Sequence, residues 1–232
     1  MLDCNMASIS ENLSQVRLRM NAAAERSGRK PESVELVAVS KSAKVPKIRE
    51  AIALGLTTFG ENRIQDAEPK IAELSDPSLR FHMIGHLQSN KVKTAVALFS
   101  TIESVDTVRL AEKISQEAAL AGKVMPILVE VNISGETEKY GFKPEEVYGA
   151  MDEIVKLPNI KVEGLMGMAP NTADVELRRK AFKTLKGLFS VCKTIKSPNL
   201  EMKVLSMGMS DDFETAIEEG ANRVRVGRAI FS

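Results

Sequence analysis

VLSMGMSDDFETAIEEGANRVRVGRAIF, residues 204–231, spells out one repeat of a recurring rhythm. An apolar run at 203–209 ends in small residues, a helical stretch begins near Asp211, and a second run at 223–227 ends at Gly227. A strand that leads through a helix to another strand points to parallel pairing, because a parallel crossover needs a long return segment. The same alternation continues upstream. Short β-branched or apolar runs occur at 34–39, 57–60, 81–85, 101–105, 126–132 and 162–168. Stretches with helical spacing separate them, at 45–54, 61–74, 90–98, 107–121, 145–156, 175–195 and 211–218. Eight strands can close a parallel sheet on itself, and a barrel of that kind takes about 250 residues. The expected fold is therefore α/β: a single (β/α)8 TIM barrel over 34–232, preceded by an extra N-terminal helix within 1–28, with 1–232 forming one domain. An open doubly wound sheet is the runner-up, but no GxGxxG follows the first strand.

Composition narrows the function. Of 232 residues, 44% are hydrophobic and 27% charged, enough to fill a core and stay soluble. Lys and Arg total 32 against 31 Asp and Glu, so no global positive field exists to gather nucleic acid or an anionic membrane. Trp is absent and Tyr numbers two, which argues against a surface that stacks single-stranded bases. Cys4 and Cys192 match neither a metal-ligand pattern nor a dense disulfide framework, and the N-terminus has no signal-like apolar run. No stretch approaches the ~18 apolar residues of a membrane span. The expectation is a cytoplasmic protein, with no nucleic acid or membrane partner and a monomeric state.

In such a barrel the reactive groups belong at the carboxyl ends of the strands. The candidates there are Lys41, Asn62, His86, the Glu130/Asn132 pair, Ser206, Ser210, Arg225, Gly227 and Arg228. Lys41 shares the parity of Val37 and Val39 in ELVAVSK, which turns it inward. A lysine near its usual pKa is uncharged in about one molecule in 2,500 at pH 7, whereas burial or a neighbouring cation makes it a nucleophile for carbonyls. Around Gly227–Arg228 and the helix near Asp211, backbone amides and the Ser206 and Ser210 hydroxyls can form an anion cup, the usual phosphate position of a barrel. Simple capping of that helix by Ser210 or Asp211, with Glu214, competes with this reading. Arg225 has the parity of Arg223 and Gly227, so arginines facing the interior need a partner inside. His86 could be an ordinary polar residue at a strand end and Asn62 a helix cap. The irregular stretch 133–143 after the fifth strand reads as an active-site loop, where Lys139 and Tyr140 are more ordinary as surface residues than as bases.

VAVSK, FGENRIQ, FHMIGHLQSNK, VEVNISGETEKYGF, GLMGM, LSMGMSDDFETAI and VRVGRAIF together resemble the pyridoxal-phosphate homeostasis protein family, from about residue 34 to the end. That family's fold is similar to the N-terminal barrel of alanine racemase. The resemblance implies pyridoxal 5′-phosphate held as an aldimine on Lys41, its phosphate on Ser206, Ser210, Gly227 and Arg228, and Arg225 facing the ring nitrogen. Asn62, His86 and Met168 would line the pocket. It implies a carrier and buffer of the cofactor, with other vitamin B6 forms and apo-enzymes as further partners. A racemase-like enzyme using the same cofactor is the alternative, and a Schiff-base aldolase acting on a sugar phosphate is a third reading.

Overall fold

In a computed structural model, residues 8–232 are described. Eight parallel strands, β1 to β8, close into a barrel in sequence order, with β1 pairing β8. They are Glu35–Val39, Thr58–Glu61, Arg80–Met83, Thr101–Val105, Met125–Val131, Ile160–Gly167, Leu200–Ser206 and Arg223–Val226. Helix α1, Ile9–Arg26, precedes them, and seven helices lie between successive strands: α2 (Val45–Ala53), α3 (Ile64–Leu74), α4 (Val92–Leu98), α5 (Val108–Leu120), α6 (Val147–Ile154), α7 (Val175–Cys192) and α8 (Phe213–Glu218). A single turn, α9 (Arg228–Phe231), follows β8. The expected barrel is the fold observed, and α9 and the short 3-10 turn Pro31–Ser33 are elements the sequence reading left out.

Eight strands with seven intervening helices leave one gap in the outer ring, and α1 fills it. The helix begins with a capping box, in which Ser8 Oγ accepts from the Glu11 amide and Glu11 accepts from the Ser8 amide. Residues 1–7 of the stretch expected to hold this helix lie outside the described residues. Its apolar stripe, Ile9, Leu13, Val16, Met20, Ala23 and Ala24, is buried against the barrel, and its neighbours are α8, α9 and α2. Arg19 pairs with Glu214, Arg26 with Glu218, and Asn12 donates to the carbonyls of Ile230 and Ser232. These contacts join the first helix to the last strand-helix unit.

The main core lies between the barrel's outer face and the helices, with Phe59, Phe81, Phe182 and Phe213 among its residues. The barrel interior is divided. Leu128, Met166 and Val204, from β5, β6 and β7, form a separate small apolar cluster. Elsewhere the interior is ionic: Arg223 binds Glu35 at 2.7 Å and Glu103 at 3.0 Å, and His82 Nδ1 lies 2.8 Å from Glu103. Burial alone would raise the Glu103 carboxyl. The His82 hydrogen bond and the charges of Arg223, His82 and Arg225 reverse that and hold it at about 2.

Candidate functional site at the barrel mouth

Seven of the residues singled out from the sequence line one cavity of about 640 Å³ at the carboxyl ends of the strands: Lys41, Asn62, Met168, Ser210, Arg225, Gly227 and Arg228. Its volume falls in the ~300–1,000 Å³ range of small-molecule sites. Lys41 reaches it from the turn that follows β1, which ends at Val39, and not by continuing the strand's alternation. The lysine is exposed there, which corrects the expectation of a buried amine: the strand stops two residues short of it.

Arg225 is the buried cation of the wall. One guanidinium nitrogen donates to Ser206 Oγ at 2.7 Å and the other to the Gly167 carbonyl at 3.1 Å. Burial lowers its pKa from the ordinary arginine value, against the pull of Glu103, Glu130 and Asp212, and it stays protonated at neutral pH. Ser206 lies beneath it, fully buried, donating to Glu103 at 2.6 Å. It therefore belongs to the ionic interior and not to the lining of the cavity, because β7 extends only to Ser206 and turns its side chain inward before the mouth.

The anion cup has a different construction from the one expected. The helix near Asp211 begins at Phe213 with Asp212 at its N-cap, so neither Ser210 nor Asp211 caps it. Asp212 instead accepts from the Met209 amide at 2.6 Å, and Asp211 forms an ion pair with Arg228. That frees Ser210 to line the cavity, where its Oγ also accepts from the Ala229 amide at 3.4 Å. A Cβ at Gly227 would stand 2.8 Å from the Val39 carbonyl, so the wall closes to its final shape only around glycine. Asn62 does not cap α3 either; Arg63 holds that position.

His86 opens onto a second cavity of about 610 Å³, which shares Asn62 and Gly85 with the first. Its Nδ1 lies 2.8 Å from Asp106 and its ring stacks on Tyr140, centroids 3.7 Å apart at 9°. Tyr140 comes from the 133–143 stretch, which is pinned when Asn132 Nδ2 donates to the carbonyls of Glu136 and Lys139. Lys139 pairs with Glu136 and lines a smaller cavity beside Met168. Glu130 is buried below; burial, then the charge of Asp106, raises its carboxyl to about 7 against the opposing Arg225. Sequence reasoning missed Ser42, Ile84 and Met209 in the lining, which sit in turns or at strand ends without a chemical signature.

An exposed amine, a hydroxyl, a glycine-shaped wall, an exposed cation paired with Asp211 and a buried arginine make a donor set suited to an aldehyde that carries an anionic group. Fold and site together define an alanine racemase N-terminal-domain barrel: the family model of that description, "Alanine racemase, N-terminal domain", matches residues 11–232. The chain belongs, within it, to the pyridoxal phosphate homeostasis protein family. The protein of that name from Pseudomonas aeruginosa is 40% identical over 226 residues, covering 97% of this chain and 96% of that protein. The solved structure of PipY from Synechococcus elongatus with PLP bound is 34% identical with a TM-score of 0.84, covering 97% of this chain and 100% of that one. An alanine racemase from Clostridium difficile shares the fold at 16% identity and a TM-score of 0.74, over 96% of this chain and 56% of that one.

Proposed function

We propose that this protein holds pyridoxal 5′-phosphate in the Lys41 cavity and serves as an intracellular reservoir that releases it to apo-enzymes. The observation that carries the reading is the meeting of Lys41, Ser210, Gly227, Arg228 and Arg225 around one cavity. Family membership and the PLP-bound relative support it. When bound, the cofactor supplies an aldehyde that a primary amine captures reversibly. Lys41 presents that amine and makes the attachment covalent. Ser210, the Gly227–Arg228 turn and the Arg228 cation hold the phosphate, while Asn62 and Met168 flank the ring. His86, from the adjoining cavity, borders the same space through Asn62 and Gly85.

Arg225 faces the ring nitrogen in this reading. A guanidinium donates a hydrogen bond but does not readily give up its proton, so the ring is a weaker electron sink than one kept protonated by an acid. That choice of partner weakens the ring as an electron sink without excluding racemase chemistry, and other vitamin B6 phosphates can enter the same cup without the covalent link. Among the described residues no helix is long and apolar enough to cross a membrane. We take the working form to be a cytoplasmic monomer.

Borohydride reduction of protein incubated with pyridoxal 5′-phosphate, followed by peptide mass spectrometry, tests ligand and attachment together. A reduced adduct on Lys41, lost in Lys41→Ala, is expected. No adduct, or one confined to other lysines, overturns the assignment.

A further inference from the structure

The turn that carries Lys41 is held from behind by an ion pair lying outside the cavity. Lys70, on α3, has 13% of its side chain exposed, and its partner Glu61, the last residue of β2, has none. An ammonium has three protons. The three acceptors around Lys70 Nζ are the Ser40 carbonyl at 2.7 Å, Glu61 Oε1 at 2.9 Å and the Lys41 carbonyl at 3.3 Å. Ser40 Oγ donates to the same Glu61 oxygen at 2.6 Å, and the Ser40 amide bonds the Gly60 carbonyl at 3.0 Å.

Stability alone accounts poorly for this arrangement. Burying a carboxylate and an ammonium costs several kcal/mol per ion, and the attraction between them repays it only when the remaining lone pairs are satisfied. Here, among the described residues, Glu61 Oε2 has no hydrogen-bond partner. What the pair does achieve is geometric, because two of the three ammonium bonds end on consecutive carbonyls of the segment from which Lys41 projects. A lysine has four rotatable side-chain bonds, and presenting its amine at one point in a wide cavity requires that at least its backbone be fixed.

We infer that Lys70, neutralised by Glu61, is a positioning residue that fixes the Ser40–Lys41 backbone and so aims the Lys41 amine at an incoming aldehyde. The inference rests on the function proposed above. In that reaction the uncharged amine adds to the aldehyde carbon, a C=N bond forms, and the aldehyde oxygen leaves as water with both amine protons. Lys70 touches none of the reacting atoms and acts through the turn.

The test measures the rate at which Lys41 becomes trapped by borohydride at short times after mixing with pyridoxal 5′-phosphate. In parallel it measures equilibrium affinity for pyridoxine 5′-phosphate, whose alcohol cannot be attached. Lys70→Met, which keeps the stem and removes the charge, is expected to slow trapping on the order of tenfold and leave affinity for the alcohol unchanged. Lys70→Arg keeps the charge but spreads its donors in a planar fork. It is expected to slow trapping in the same direction, and it decides the matter if Lys70→Met does not fold. Unaltered trapping in a folded variant, or an equal loss of affinity for the alcohol, overturns the positioning role. A wild-type protein that traps nothing on Lys41 overturns the proposed function instead, a result distinct from either.

Discussion

Replacing Glu130 with glutamine is expected to stabilise this protein, and to do so only as the pH rises. Glu130 is 4% exposed on the inner face of β5, and burial together with Asp106 carries its carboxyl from 4.5 to about 7 despite Arg225. A carboxyl that binds its proton more tightly in the folded state than in the unfolded one leaves stability intact below the unfolded value. Stability is then lost progressively between about 4.5 and about 7. At about 1.4 kcal/mol for each tenfold change in proton affinity, the penalty reaches about 3 kcal/mol by pH 8 and is under about 1 kcal/mol at pH 5. Glutamine keeps the shape and cannot ionise, so it removes the penalty. Urea unfolding of the two proteins should give coincident midpoints near pH 4.5 and a clear advantage for Glu130→Gln at pH 8. In a thermal scan the same gap corresponds to about 6–12 °C for a chain of this size. A gap of equal size at pH 5 and pH 8, or a variant less stable than wild type at pH 8, refutes the reasoning.

Glu103→Gln should do the opposite. Its carboxyl is held at about 2, so the charge contributes about 3 kcal/mol at pH 7, fading as pH falls from about 4.5 towards 2, and urea midpoints at pH 7 and pH 3 should show the cost shrink by more than half. A cost independent of pH would show that ionisation of Glu103 is not what holds the interior together. Ser206→Ala leaves Arg225 and Glu103 each short of a partner and should cost about 1–3 kcal/mol, with binding of inorganic phosphate unchanged. Ser210→Ala should weaken phosphate binding with little effect on stability; calorimetry on the pair separates the two serines, and the reverse pattern would return Ser206 to the cup.

The fold was legible because parallel β/α units write their alternation into the chain, and the eight runs each fall within a few residues of an observed strand. Boundaries drifted where local signals overlap. Glu61, within FGEN, reads as the first residue of the helical stretch, yet it ends β2, and α3 starts only at Ile64. At the mouth, both Lys41 and Arg225 line the cavity, although Lys41 lies beyond the end of β1, where strand parity no longer applies. Spacing did not separate Ser206 from Ser210, since only the observed end of β7 shows which of the two serines reaches the cavity and which stays below it. The partner that the interior arginines required was anticipated, but its identity was not. Glu103 sits in TIESV, an unremarkable strand, and becomes the counter-ion of Arg223 because the closed barrel brings β4 and β8 across from one another. Contacts across a barrel have no signature in sequence spacing. Lys70 was invisible for the same reason: on α3 it is one polar residue among several, and its meaning depends on the carbonyls that β1 delivers to it.

Arg225 joins these two levels of the molecule, and its position explains why the interior is ionic where most barrels are packed with branched apolar side chains. An arginine meant to meet a ligand could sit at the rim, as Arg228 does, exposed and paired with the exposed Asp211. Arg225 is instead committed through Ser206 to Glu103, and Glu103 through Arg223 to Glu35, a chain of charge-assisted bonds leading away from the cavity. Each link satisfies a donor or acceptor that would otherwise be costly to bury. The result is a cation whose direction is set before any ligand arrives. Lys41 is treated alike by different means: the side chain is left exposed and its backbone is anchored by Lys70 and Glu61. One wall of the cavity is thus fixed by a buried side chain and the other by a buried brace behind a turn, leaving Ser210, Arg228 and the Lys41 side chain as the parts that can adjust. In the function proposed above, a site built this way would grip both ends of an aldehyde-phosphate and let go when the amine is displaced, which is what a reservoir needs and a tight prosthetic-group site does not.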